Sequence, residues 1–235
     1  EHAVLVRPWP DQRNRAPAIG LTGSLEDLVR YSRFLMGDGR GEAAEAVLTP
    51  ASMDLMRTPQ LQGAFDHWRG LAWNVRDLGG VRFVGHGGTA EGFHAQMLVA
   101  PERDFLVAVL TNSSDGLALT TELVDWTRTR CLGVVKKESP PLDLPPERLA
   151  EYAGRYVGAG GDWWLDVSLD GNRLLTRFAD PSGAREPQAV GICADDVFVA
   201  LEGHAKGRRG EFLRDDTGRV AWIRFVGRIS MRRAD

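Results

Sequence analysis

Between Trp73 and Leu110 the chain alternates short apolar runs with tight turns, a pattern that admits little besides an antiparallel sheet. Residues 70–75 alternate, Asp77-Leu78-Gly79-Gly80 turns them, and residues 81–84 return. Residues 93–99 and 105–110 follow, separated by Ala100-Pro101-Glu102-Arg103-Asp104. The expectation is a meander of four strands. Residues 105–110 are almost wholly apolar, which predicts a strand buried on both faces. Set into this meander is Gly85-His86-Gly87-Gly88-Thr89, whose glycines remove side chains around one histidine.

Helical signals flank the sheet. Ser24 reads as an N-cap with Asp27 three residues on, and Leu25, Leu28, Val29, Phe34 and Leu35 share a face that ends near Gly37. Thr49-Pro50 opens a second helix, anchored by Leu48, Met53 and Met56. Residues 117–132 read as an amphipathic helix with Leu119, Leu123, Trp126 and Leu132 on the buried side. Residues 1–20, rich in Pro, Arg and Asn, read as a loop or extended arm.

Residues 136–146 hold two Pro-Pro pairs and several charges, a linker composition. Beyond them the chain is all-β. Asp170-Gly171 between alternating runs predicts a hairpin, and six to eight short strands predict a small barrel or sandwich. Trp163, Trp164, Phe178, Phe198, Trp222 and Phe225 are candidates for its interior, as core filling. Arg224, Arg228, Arg232 and Arg233 read as a solvated basic end.

A net charge of −3 gives no reason to expect a nucleic-acid partner. No run approaches the roughly 18 apolar residues of a membrane span. Cys131 and Cys193 lack a metal-ligand spacing and read as separate buried thiols; neither a metal nor a cofactor is expected. Lys136, Lys137 and Lys206 are the only lysines, so a catalytic lysine has few candidates.

A histidine at a glycine-lined strand end suits acyl transfer, which needs main-chain donors at a developing oxyanion and a polar group near the nucleophile. Taken alone, the five residues read first as a glycine-rich turn tipped by a histidine. In context, residues 73–113, with Gly20-Leu21-Thr22-Gly23-Ser24, Asp27 and Pro59-Gln60, resemble the serine β-lactamase-like family. That family includes class C β-lactamases, D-Ala-D-Ala carboxypeptidases, D-aminopeptidases and related esterases. The likeness covers residues 15–133, and residues 85–89, followed by Glu91-Gly92-Phe93, look like its third motif.

The resemblance implies that His86 stands where relatives hold Lys or His, or Trp in some esterases. It implies that Gly88 is the motif glycine and that the Thr89 backbone N–H completes an oxyanion hole. His86 and Thr89 are thus the candidate catalytic residues. Gly87, Gly88, Glu91 and Phe93 are the candidate substrate-binding residues, although Glu91 also reads as a solvated carboxylate. His94 reads as a partly buried structural histidine in preference to a residue that shapes the substrate cleft.

The departure from the family is large. None of the nine serines is followed at the third position by lysine, and Tyr31, Tyr152 and Tyr156 open no Tyr-x-Asn or Tyr-x-Ser. The resemblance therefore implies the C-terminal portion of a longer enzyme, and this chain by itself is expected to be inactive. Its last part resembles the lipocalin-like barrel appended to many members.

The expected fold is α+β, an α/β sandwich with an antiparallel sheet over residues 1–135, then a linker over 136–146 and an all-β antiparallel barrel over 147–235. The expected function is that of a fragment of a serine hydrolase of the β-lactamase, D-peptidase or esterase type. The competing reading is a non-catalytic ligand- or partner-binding module built on the barrel. Expected partners are a small-molecule or peptide amide or ester, and a second copy or the missing N-terminal part. A periplasmic or secreted location is favoured over a cytoplasmic one.

Overall fold

A computed structural model describes Ala18 and residues 20–38, 47–64, 67–90, 92–136, 140–203, 205–225 and 228–233. Contacts divide the chain into two compact units. The first comprises Glu1–Gln62 and Asp66–Lys136; the second comprises Gly63–Phe65 and Lys137–Asp235. The arm expected over residues 1–20 falls almost wholly outside the described residues.

In the first unit, α1 (Leu25–Arg33) starts at a full capping box. The Asp27 N–H donates to Ser24 Oγ at 3.2 Å and the Ser24 N–H donates to Asp27 Oδ2 at 2.8 Å. These bonds hold the Asp27 carboxyl below the usual carboxylate range. Helix α2 (Pro50–Arg57) has Thr49 as its cap and proline at the first position. Both starts follow from the sequence signals.

Six strands form one sheet in sequential order: β1 (Leu61–Ala64), β2 (His67–Arg69), β3 (Asn74–Leu78), β4 (Val81–Ala90), β5 (Phe93–Ala100) and β6 (Phe105–Thr111). Two short strands, β1 and β2, extend the four expected beyond β3, and β4 runs on through the His-Gly-Gly segment instead of ending before it. The sheet buries one cluster beside the residues that follow α1, formed by Leu35, Trp73, Val75, Val84, Met97 and Val99. On the opposite face Val81, Phe83, Ala100 and Phe105 pack with Leu132 and Val134, at and beyond the end of α3 (Gly116–Leu132).

Two expectations fail here. Strand β6 lies at the sheet edge, and only Phe105 in it is fully buried while Leu110 is exposed. An edge strand is covered less on its outer side, whatever its apolar content. Helix α3 is rotated relative to the expected face: Thr120, Val124 and Arg128 are buried, whereas Leu119, Leu123 and Trp126 are exposed. Arg128 is buried because its Nε donates to the Val134 carbonyl and its Nη1 pairs with Asp125.

The second unit begins with the short helix α4 (Pro146–Ala150) and continues as β7 (Gly154–Gly158), β8 (Trp164–Asp170), β9 (Arg173–Asp180), β10 (Gly183–Ala184), β11 (Gln188–Ala194), β12 (Val197–Ala200), β13 (Arg209–Arg214), β14 (Val220–Phe225) and β15 (Arg228–Arg232). Strand β15 pairs with β7 and β8 pairs with β9, which closes eight antiparallel strands into a barrel; β10 adds a short flap to β9. The hairpin forms at Gly171 as expected.

Tyr152, Tyr156, Phe198, Phe212, Leu174 and Ile223 fill the interior. The Tyr152 and Phe198 rings lie 4.4 and 5.1 Å from that of Phe212. Phe178 and Phe225 join this core as expected. Trp164 and Trp222 do not, because their neighbours Leu165 and Ile223 take the inward positions and strand alternation turns the tryptophans outward. The basic end is largely engaged: Arg224 pairs with Glu211, Arg228 lies over Trp163, and Arg232 donates to the carbonyls of Glu151, Val220 and Ala153. Neither cysteine is in a disulfide, and Cys131 is exposed instead of buried.

Candidate active-site strand

Strand β4 changes character halfway along. Val81, Phe83, Val84 and Gly85 are buried, and every residue from His86 to Ala90 is exposed. The change coincides with the end of β3, whose Asn74 is the register partner of Gly85. Beyond that point β4 is paired only with β5, with Cα partners running from His86 opposite Met97 to Ala90 opposite Phe93. Half of the main-chain N–H and C=O groups in this stretch therefore face an edge with no paired strand among the described residues.

His86 stands at the start of this exposed stretch, on the face that buries Val84 and Met97. Its imidazole meets the Trp73 ring edge-on, with centroids 6.4 Å apart and planes at 84°. Trp73 is itself buried and lies 5.9 Å from the Tyr31 ring. Burial pushes the Tyr31 hydroxyl up from its ordinary value. The Trp73 Nε1–H has no hydrogen-bond partner among the described residues.

Thr89 is three residues on, so alternation places its side chain on the opposite face of the sheet from His86. There its hydroxyl lies 3.1 Å from His94 Nδ1, and His94 Nε2 lies 2.9 Å from the Ser114 carbonyl just before α3. His94 is buried, as its structural reading requires. What His86 and Thr89 share is thus the open edge of β4, not a side-chain contact.

The glycines divide in the same way. A Cβ on Gly85 would sit 2.3 Å from the Met97 carbonyl oxygen, so close strand approach excludes a side chain there. A Cβ on Gly87 would be 3.3 Å from the Ala95 oxygen, and one on Gly88 would meet only Ala95 Cβ at 3.9 Å. At Gly88 the fold makes no demand for glycine. Phe93 is exposed opposite Ala90 at the strand end, and Glu91 lies outside the described residues. Sequence gives no signal that Tyr31 or Trp73 belongs near the motif, and none for the two contacts of His94, since each is linked to the motif by folding alone. Among the described residues no three His, Cys, Asp or Glu side chains are grouped as a metal would need. No helix among them is long and apolar enough to cross a membrane.

The first unit is thus an α+β fold in which one strand carries His86, Gly87, Gly88 and Thr89 along an exposed edge. The sequence pattern of the family described as Beta-lactamase matches residues 1–125, and the chain belongs to that family. It is 32% identical over 143 residues to penicillin-binding protein 4 of Amycolatopsis lactamdurans, an alignment covering 57% of this chain and 37% of that protein. Two solved structures of SurE, one with D-Leu, match 90% of this chain and 50% or 48% of theirs. Their TM-scores are 0.64 and 0.65 at 27% and 28% identity. The chain thus spans half or less of the length of these relatives.

Proposed function

We propose that this chain supplies one wall of the active site of a serine hydrolase that forms an acyl-enzyme on an amide, ester or β-lactam. The observation that carries the reading is the exposed, single-sided half of β4, with His86 at its start and Thr89 on the same edge. In this scheme the Thr89 N–H is one donor to the oxyanion, and His86 assists proton transfer or stabilises charge near the serine. Gly87 and Gly88 let the acyl group lie along the strand, and Phe93 flanks it. The serine and its lysine come from the part of the longer protein that these relatives include and this chain does not. Penicillin-binding protein 4 and the SurE structure with D-Leu support a peptide-like acyl compound with a D-residue as the first substrate to try.

A longer protein carrying Ser-x-x-Lys should hydrolyse a chromogenic ester, a D-amino-acid amide or a chromogenic β-lactam, while this chain alone should be inert. His86→Ala in the longer protein should lower kcat by about 100-fold or more, the usual worth of a positioned proton-transfer group. If that protein is inert toward all three compounds, the hydrolase reading fails. The competing view of the barrel as a ligand carrier draws no support from an interior filled by Tyr152, Tyr156, Phe198 and Phe212.

A further inference from the structure

We infer that His94 is a positioning residue of this site: buried between the Thr89 hydroxyl on β4 and the Ser114 carbonyl before α3, it fixes the strand edge that presents the Thr89 N–H. The inference rests on the hydrolase reading for its consequence in turnover, but not for its geometry. A carbonyl oxygen only accepts, so the 2.9 Å contact to Ser114 requires the proton on Nε2. In the neutral ring Nδ1 is then an acceptor, and the Thr89 hydroxyl donates to it across 3.1 Å.

Two consequences follow. The Thr89 side chain is held in one rotamer against a ring that is itself anchored to a different element, so the tip of β4 cannot twist independently of β5 and the start of α3. Moreover, the hydroxyl proton is committed, so Thr89 Oγ1 offers only lone pairs to anything else. A tip paired on one side only, with the exposed Gly87 and Gly88 leading into it, would otherwise have less to define it, and oxyanion donors are effective only when fixed beforehand.

Conservative replacements separate the two contacts. Asn at position 94 places an amide oxygen near the Nδ1 position and keeps the Thr89 bond, while losing Ser114. Gln reaches to the Nε2 position and keeps the Ser114 bond, while losing Thr89. In this chain, long-range proton–nitrogen NMR spectra should show the neutral ring of His94 as the Nε2–H tautomer. The Thr89 amide resonance should be retained in His94→Asn and displaced in His94→Gln. In the longer protein, His94→Gln and Thr89→Val should each lower kcat by about tenfold or more with KM changed less than about threefold, and the double variant should be no worse than either. His94→Asn should recover most of the loss.

A Nδ1–H tautomer would overturn the inference, and so would Gln outperforming Asn, the result expected if His94 merely staples α3. If either variant fails to fold, the tautomer in the unmodified chain and the Thr89→Val kinetics still decide. If the longer protein has no activity at all, the proposed function falls while the tautomer and amide measurements in this chain continue to judge His94.

Discussion

Gly85 and Gly88 are three residues apart in one strand and are glycine for different reasons. At position 85 the neighbouring strand approaches so closely that a methyl group would meet the Met97 carbonyl oxygen. Gly85→Ala should therefore destabilise the first unit by about 1–3 kcal/mol, the ordinary cost of overpacking, seen as a lower midpoint in thermal or urea unfolding. At position 88 the nearest atom is in ordinary contact at 3.9 Å, so Gly88→Ala should leave the unfolding midpoint nearly unchanged. In the longer protein the same change should still reduce kcat/KM, because the added methyl occupies the exposed edge where the acyl group is proposed to lie. Equal stability losses at both positions would remove the case that Gly88 serves a ligand. A glycine-rich string could be found in the sequence. The division of labour within it could not, because the distance to β5 appears only once register is set. The partners of His94 were hidden for the same reason: Thr89 is five residues before it and Ser114 twenty after, a spacing that matches no local motif.

Single elements were legible where the signal is local. Ser24 with Asp27, Thr49 with Pro50, and the hairpin at Gly171 act within a few residues, and all three formed as expected. Signals that depend on a neighbouring element misled. Helix α3 carries two stripes, Leu119–Leu123–Trp126 and Thr120–Val124–Arg128, and hydrophobicity favours the first. The sheet receives the second, because Arg128 satisfies its guanidinium on the Val134 carbonyl and Asp125 as it is buried. The consequence is an inverted stability pattern. Val124→Ala, at 2% exposure, should cost about 2 kcal/mol through lost burial and a small cavity. Trp126→Ala, at 63% exposure, should change stability by no more than about 0.5 kcal/mol despite removing the larger side chain. Urea unfolding of the two variants checks this, and a larger loss at Trp126 would mean that α3 faces the other way. The apolar run of β6 misled similarly, since composition does not tell an edge strand from a central one.

Across the molecule, the barrel carries the ionisable groups that set the pH range of its own stability. The Arg214 guanidinium holds the Asp196 carboxyl below the usual carboxylate range with two bonds of 2.8 Å, and the Tyr152 hydroxyl adds a third at 3.0 Å. A carboxyl depressed in the folded state stabilises it above the unfolded value near 3.8, and this contribution is lost as pH falls through the folded value. Tyr156 works at the opposite end. Burial pushes its hydroxyl up to about 12, and that hydroxyl donates to the Tyr152 carbonyl at 2.7 Å. Its contribution is complete below the unfolded value near 10.0 and is lost as pH rises toward 12. Tyr152, also raised by burial, adds to the same limb. The urea midpoint of the barrel should thus be flat through neutral pH and fall at both extremes. Asp196→Asn should cost about 1–3 kcal/mol at neutral pH, the worth of hydrogen bonds to a charged group, and should shrink the acid limb most, trimming the alkaline one only through Tyr152, whose hydroxyl Asp196 also helps to raise. Tyr156→Phe should cost about 1 kcal/mol and shrink the alkaline limb while leaving the acid one intact. An alkaline limb undiminished in Tyr156→Phe would show that the barrel yields at high pH through some other group, and that the buried Tyr152–Tyr156 pair does not set its upper bound.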